Sequence, residues 1–237
     1  MTEPNNTNVL AKRTLLLASA SMGFAQTVLF AILGPLGREV GLLEVQIGAI
    51  ISCSSLTLFL ASPMWGRVSD RWGRRKVLLI GLFGYSLGTM VFAGVFQVAL
   101  LVYIAPTVTL ALLIITRVAN ATTMAAVTPS TNAYMADITT VEDRIKGMGA
   151  VGAAFNIGSI LGPAIGGLLA SISLLTPLYF SVLLTLTAAL LTLYTLPKLP
   201  KPAVKKEQPK LKYTCLLYTS DAADDLLCVD LGGRRII

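Results

Sequence analysis

The chain has no histidine, three cysteines, two tryptophans and few charges: Asp, Glu, Lys and Arg make up 13% of its 237 residues, against 54% hydrophobic. That scarcity of charge excludes a water-soluble domain of this length, which needs about 25% charged residues to cover its surface. Three cysteines make no disulfide framework; Cys53 falls in an apolar run and reads as a small buried residue, and Cys215 and Cys228 lie near the C-terminus. Without histidine, Gly84-Tyr85-Ser86-Leu87-Gly88 has the spacing of a hydrolase nucleophile elbow but no base to serve it, so no enzyme is expected and Gly84 and Gly88 read instead as a close-packing pair. No phosphate loop and no metal-ligand spacing is present.

What fills the chain is uncharged apolar sequence. Thr14 to Gly37, Val45 to Gly66, Val77 to Thr116 and Gly147 to Pro197 carry no charge. At about 20 residues per crossing, these runs and the stretch around Arg117 predict an all-α polytopic membrane protein with six spans, 14–36, 45–64, 77–98, 107–131, 147–170 and 175–196. The opening Lys12-Arg13 and the apolar residues after it look like a signal peptide, but the run continues to Leu36, too long for one.

A net charge of +7 invites a nucleic-acid reading, which the placement of the charges argues against. Lys12 and Arg13, then Arg67, Arg71, Arg74, Arg75 and Lys76, then Arg144 and Lys146, then Lys198 to Lys212 fall on alternate connections, and only Arg38 falls on the other side. This is the positive-inside pattern and predicts both termini in the cytoplasm. The expected partner is the lipid bilayer.

Four segments follow: an N-terminal stretch 1–13, a bundle 14–196, a Lys- and Pro-rich linker 197–214 suited to a membrane surface, and a tail 215–237. The tail, Cys215-Leu216-Leu217-Tyr218-Thr219-Ser220-Asp221 and onward, is too short and mixed to span. It resembles a translated sequencing-adapter artefact and is set aside from fold reasoning; the other reading is an amphipathic tail.

The basic segment Gly66-Arg67-Val68-Ser69-Asp70-Arg71-Trp72-Gly73-Arg74-Arg75-Lys76 reads as a loop between spans two and three, in which Gly66 allows close helix approach and Gly73 a tight turn. With Gly66, Asp70, Arg71, Gly73, Arg74 and Arg75 in their places, it resembles the signature loop of the major facilitator superfamily. The resemblance implies that Asp70 pairs with neighbouring arginines and with a helix start in a second half, as a conformational latch. Ala133-Tyr134-Met135-Ala136-Asp137 and Arg144-Ile145-Lys146-Gly147 are similar to the family's exit from span four, which implies a cytoplasmic charge network of Asp137 and Arg144 with the signature arginines.

Arg117 is the only charge within a span, and such residues face cavities; snorkelling to the membrane edge is the other reading. Asn120, Ala121, Met124, Thr128 and Thr131 share its helical face. The family has an arginine here, tied to proton coupling or cavity structure, although Val118-Ala119-Asn120-Ala121 departs from its usual Gln-Gly. Gln26, Asn120 and Asn156, with Arg117, are the buried polar groups expected at the cavity.

In span five Ala150, Ala154, Gly158, Gly162 and Gly166 recur every fourth residue, a side-chain-poor face for close helix contact, and Pro163 is expected to bend the helix. Gly158, Gly162, Pro163, Gly166 and Gly167 resemble the family's antiporter motif, which implies proton-coupled export of multidrug type. An importer or symporter of the same family, or a non-transporting six-helix scaffold, remains an alternative. The resemblance further implies half of a twelve-helix fold made of inverted three-helix repeats, a missing C-terminal half as partner, a small-molecule substrate, no cofactor beyond a proton gradient, and a bacterial inner membrane.

Overall fold

In lipid every backbone polar group must find its partner within the protein, so apolar runs of this length can cross only as helices. The computed structural model, which describes residues 4–102 and 105–197, has α1 (Pro4–Glu39), α2 (Glu44–Trp72), α3 (Arg74–Leu101), α4 (Pro106–Met124), α5 (Val127–Ile138), α6 (Arg144–Ala170) and α7 (Thr176–Thr195). Among the described residues six stretches are long and apolar enough to cross a membrane, α4 and α5 together making one. The six-span, all-α expectation therefore holds. The linker from 198 and the tail 215–237 lie outside the described residues.

Two boundaries differ from expectation. The segment from Gly66 is not a loop: α2 runs on to Trp72, Gly73 alone makes the turn at φ 98°, and α3 starts at Arg74. Hydropathy marks where lipid ends, whereas the helix of 29 residues continues for about 43 Å at 1.5 Å per residue, beyond a hydrocarbon core of about 30 Å. The fourth span reaches Ile138 instead of 131 and is interrupted at Ala125–Ala126. Pro129 accounts for the interruption, because it has no N–H to give the carbonyl of Ala125 and its ring would crowd that carbonyl.

Helix ends follow the local sequence. Pro106 and Pro177 occupy first-turn positions where a missing N–H costs nothing. Gly41, at φ 76°, turns α1 into α2, and Gln46 Oε1 accepts the Leu43 N–H at 2.9 Å. Arg38 and Glu44 close the same turn at 2.6 Å, both well exposed.

α1 packs chiefly against α6 and α7, α3 against α4 and α7, and α2 against α4. The core forms two clusters along the bundle. One joins Leu15, Met22, Leu82, Tyr85, Val127 and Tyr134; the other joins Val28, Ile32, Phe92, Phe96, Leu113 and Leu178. Along α4, Leu113 belongs to the second and Met124 to the first, and Arg117 stands between them.

Candidate functional site

The charge cluster expected at the cytoplasmic face is built where α2, α3 and α5 meet. Asp70 lies in the last turn of α2 and Arg74, Arg75 and Lys76 in the first turn of α3. Each is at the end where the helix dipole disfavours its charge, so topology and pairing set these positions. Arg74 Nε stands 2.9 Å from Asp137 Oδ2, an ion pair by distance whose N–H is not aligned as a hydrogen bond. The Arg74 Nη1 donates to the Ala133 carbonyl. Asp70 is 3.7 Å from Arg74 Nη2 and half exposed. Arg75 Nη2 donates to the Leu193 carbonyl of α7 at 2.5 Å.

The cross-helix network therefore rests on Arg74, with Asp137 on one side and Asp70 on the other. Two expected members are not bonded into it. Arg71 is exposed, and among the described residues neither it nor Arg144 makes an ion pair. Arg144 opens α6 behind Asp143, whose carboxylate takes Lys146 at 3.2 Å. Gly73 makes the tight turn, but Gly66 faces open space in place of a neighbouring helix.

Arg117 is 3% exposed, which excludes snorkelling. It lines a small cleft with Gln26, Ser54 and Ser55, under Phe30 and Leu58, between α1, α2 and α4. The cleft holds about 10 Å³, room for about one water. From α3, the fully buried Tyr85 brings its hydroxyl beside the guanidinium, yet Arg117 Nε and Nη1 and the Tyr85 hydroxyl complete no well-formed hydrogen bond.

The polar residues expected together are placed apart. Gln26 joins Arg117. Asn120 does not: it is buried against α3, where its Nδ2 donates to Thr89 Oγ1 at 3.1 Å and its side chain fills the space over Gly88. Asn156 lines a separate cavity of about 340 Å³ between α1, α5 and α6, with Ser19, Thr128, Thr131 and Asn132. Thr128 and Thr131, expected on the Arg117 face, fall there because the break at Ala125–Ala126 separates their helix from that of Arg117.

The glycine face of α6 meets α1 at backbone distance. A Cβ on Gly158 would lie 1.9 Å from the Ala20 carbonyl oxygen, and one on Gly162 would lie 2.1 Å from Thr27 Oγ1. Gly166 sits over Val28, whereas Gly167 faces open space. Pro163 is accommodated within α6. The contact is reciprocal: a Cβ on Gly23 of α1 would lie 2.0 Å from the Phe155 carbonyl oxygen. Gly84 packs on Thr123 as Gly88 does on Asn120, so α3 and α4 share a similar seam.

Sequence reading missed Gly23 and the placement of Tyr85 beside Arg117. A lone glycine in a span carries no periodic signal. Tyr85 does carry one, since a buried phenol needs a partner and Arg117 is the one charge away from the span ends.

Comparison with known proteins bears on what this geometry serves. The Major Facilitator Superfamily model matches residues 15–224, past Thr214 into the segment read above as adapter-like. Multidrug resistance protein 1 of Bacillus subtilis (strain 168) is 31% identical over 83% of this chain and 46% of its own. The class C tetracycline resistance protein of Escherichia coli is 32% identical over 73% of this chain and 40% of its own. The chain thus spans about half the length, or less, of the curated relatives it matches. The solved structure of the human organic anion transporter MFSD10 (TETRAN) shares the fold, with a TM-score of 0.63 at 24% identity over 86% of this chain and 51% of that one.

Proposed function

Because the chain belongs to the Major Facilitator Superfamily, a family of transporters and not of enzymes, we propose that it is the N-terminal half of a proton-coupled exporter of small molecules. The observation that carries this reading is the seam between α1 and α6. Gly158, Gly162 and Gly166 bring the two backbones together around Pro163, in the pattern that resembles the family's antiporter motif. The relatives named for multidrug and tetracycline resistance support export over import.

In this reading the half rocks as a unit against a second six-helix half, and substrate is held between the two near the membrane midplane. The rigid α1–α6 and α3–α4 seams let the half move as one body. The pairs around Arg74 are worth about 0–1 kcal/mol each at a half-exposed edge, weak enough to break in every cycle. In this reading the edge and both ends of the half face the cytoplasm, which the basic connections support, and the membrane is a bacterial inner membrane, which the bacterial relatives support. Among the described residues the carboxylates of the spans, Glu39, Glu44, Asp70 and Asp137, all sit in terminal turns, so a proton-titrating carboxylate comes from these edges or from the second half. The tail 215–237 is read as foreign to the natural chain; sequencing the source DNA across the Thr214 codon without adapters tests this, an uninterrupted natural frame through Ile237 refuting it.

The test of function uses the full-length protein in inverted membrane vesicles. Ethidium is expected to accumulate in them when respiration acidifies the lumen, and to leak out when an uncoupler collapses the gradient. Accumulation that ignores the uncoupler, or none at all, refutes proton-coupled export. The seam has its own test: Gly158→Val is expected to lower the stability of the purified full-length protein by about 1–3 kcal/mol, because the backbone it meets has no rotamer to give way. Unchanged thermal unfolding would show that α1 and α6 do not touch there.

A further inference from the structure

Arginine stays charged at any accessible pH, and a buried charge needs an opposite charge or a full set of hydrogen bonds. Arg117 has neither among the described residues: its Nε and Nη1 are buried without acceptors. The carboxylates described, Glu39, Glu44, Asp70, Asp137, Glu142 and Asp143, all lie at helix ends or in connections, none of them lining its cleft. What surrounds it is neutral: the Gln26 amide, the Ser55 hydroxyl, the Tyr85 hydroxyl and the Ser54 hydroxyl, the last committed to the Ile51 carbonyl at 2.8 Å.

Building on the transport reading, we propose that the cleft over Arg117 is a subsite for the carboxylate of a lipophilic organic anion, so that the substrates include weak acids. The dimensions limit the occupant. Room for about one water-sized group admits a carboxylate oxygen and not a whole molecule, so the body of the ligand lies outside. Phe30, 37% exposed, and Leu58 also line the cleft and offer apolar surface. A carboxylate oxygen in the cleft would accept a charge-assisted hydrogen bond from the guanidinium. A cation would meet an uncompensated positive charge, and a neutral amide would leave that charge unpaired.

The test measures binding of 2-naphthoate and of 2-naphthamide, its uncharged isostere, to the full-length protein in lipid nanodiscs by titration calorimetry. Wild type is expected to favour the acid about ten-fold or more, the discrimination of one charge-assisted contact. Arg117→Gln is expected to bring the two to near equality, and Arg117→Lys, which keeps the charge without the fork, to keep a reduced preference. Should Arg117→Gln fail to fold, the acid–amide ratio in wild type and in Arg117→Lys still decides. Equal affinities in wild type overturn the subsite and mean that another part of the full chain neutralises Arg117. A preference that survives in Arg117→Gln overturns it as well. Ethidium export by the same protein in inverted membrane vesicles separates the two readings: uncoupler-sensitive export without acid preference removes the subsite and leaves the exporter, and an Arg117-dependent preference in a protein that moves no dye does the reverse.

Discussion

Arg74 stands at the edge of the bundle with Asp137 at 2.9 Å and Asp70 at 3.7 Å, while Arg117 is enclosed in the fourth span with no carboxylate in its cleft. The two guanidiniums have opposite economies. At the edge, water and screening reduce every pair to a small value, so two anions around Arg74 can hold a state without freezing it. In the core an unpaired charge is costly, and keeping one there makes sense where the protein has a use for it. On the proposed reading the difference separates a group that controls shape from a group that meets a ligand.

The contrast breaks most decisively at Arg117. Arg117→Ala in the full-length protein is expected to reduce export of a carboxylate substrate such as 2-naphthoate to background, at least about 100-fold, the equivalent of about 2.7 kcal/mol. Membrane insertion should remain intact, because removing a buried cation favours insertion by about 2.5–3.5 kcal/mol. Export at the wild-type rate, with the protein present in the membrane, would place Arg117 on the structural side of the comparison.

At the edge the expected effects are smaller and coupled. Arg74→Ala and Asp137→Ala should each slow export by several-fold, and the double variant should be no slower than the worse single one. The coupling from the double-mutant cycle is expected near 1 kcal/mol for this partly exposed pair. Additive losses would mean that the 2.9 Å contact does no work in the cycle.

How much of this contrast was legible in the sequence depends on what each signal measures. Uncharged length and the placement of cations gave the six spans, and the four-residue repeat from Gly158 to Gly166 gave the face that meets α1, because both are properties of a single helix. Contacts chosen by a partner helix were not legible. The helical wheel put Asn120 beside Arg117, but the missing side chain at Gly88 draws it into the α3 seam. Gly23 is visible only once Phe155 is seen against it. The end of α2 was misplaced because hydropathy reports the lipid boundary while the hydrogen-bonded helix continues to Trp72. The interruption at Ala125–Ala126 did have a signal, Pro129, four residues beyond the carbonyl it abandons.

The smallest expected effect sharpens the comparison most, because it asks whether the weaker of the two edge pairs matters. Asp70 is farther from Arg74 than Asp137 is and half exposed, so within this half Asp70→Asn should alter stability by less than about 1 kcal/mol. If Asp70 serves only Arg74, export by the variant should also change less than two-fold, and the change should vanish as salt screens the pair, since the Debye length falls to about 3 Å at 1 M. If Asp70 also meets a helix start in a second half, as the signature resemblance implies, its loss should slow state switching several-fold while the stability of this half is unchanged. Single-turnover export measured beside thermal unfolding, at low and high salt, separates these outcomes. Switching that slows without loss of stability assigns the latch to Asp70, and a change confined to low-salt stability leaves it as a surface pair.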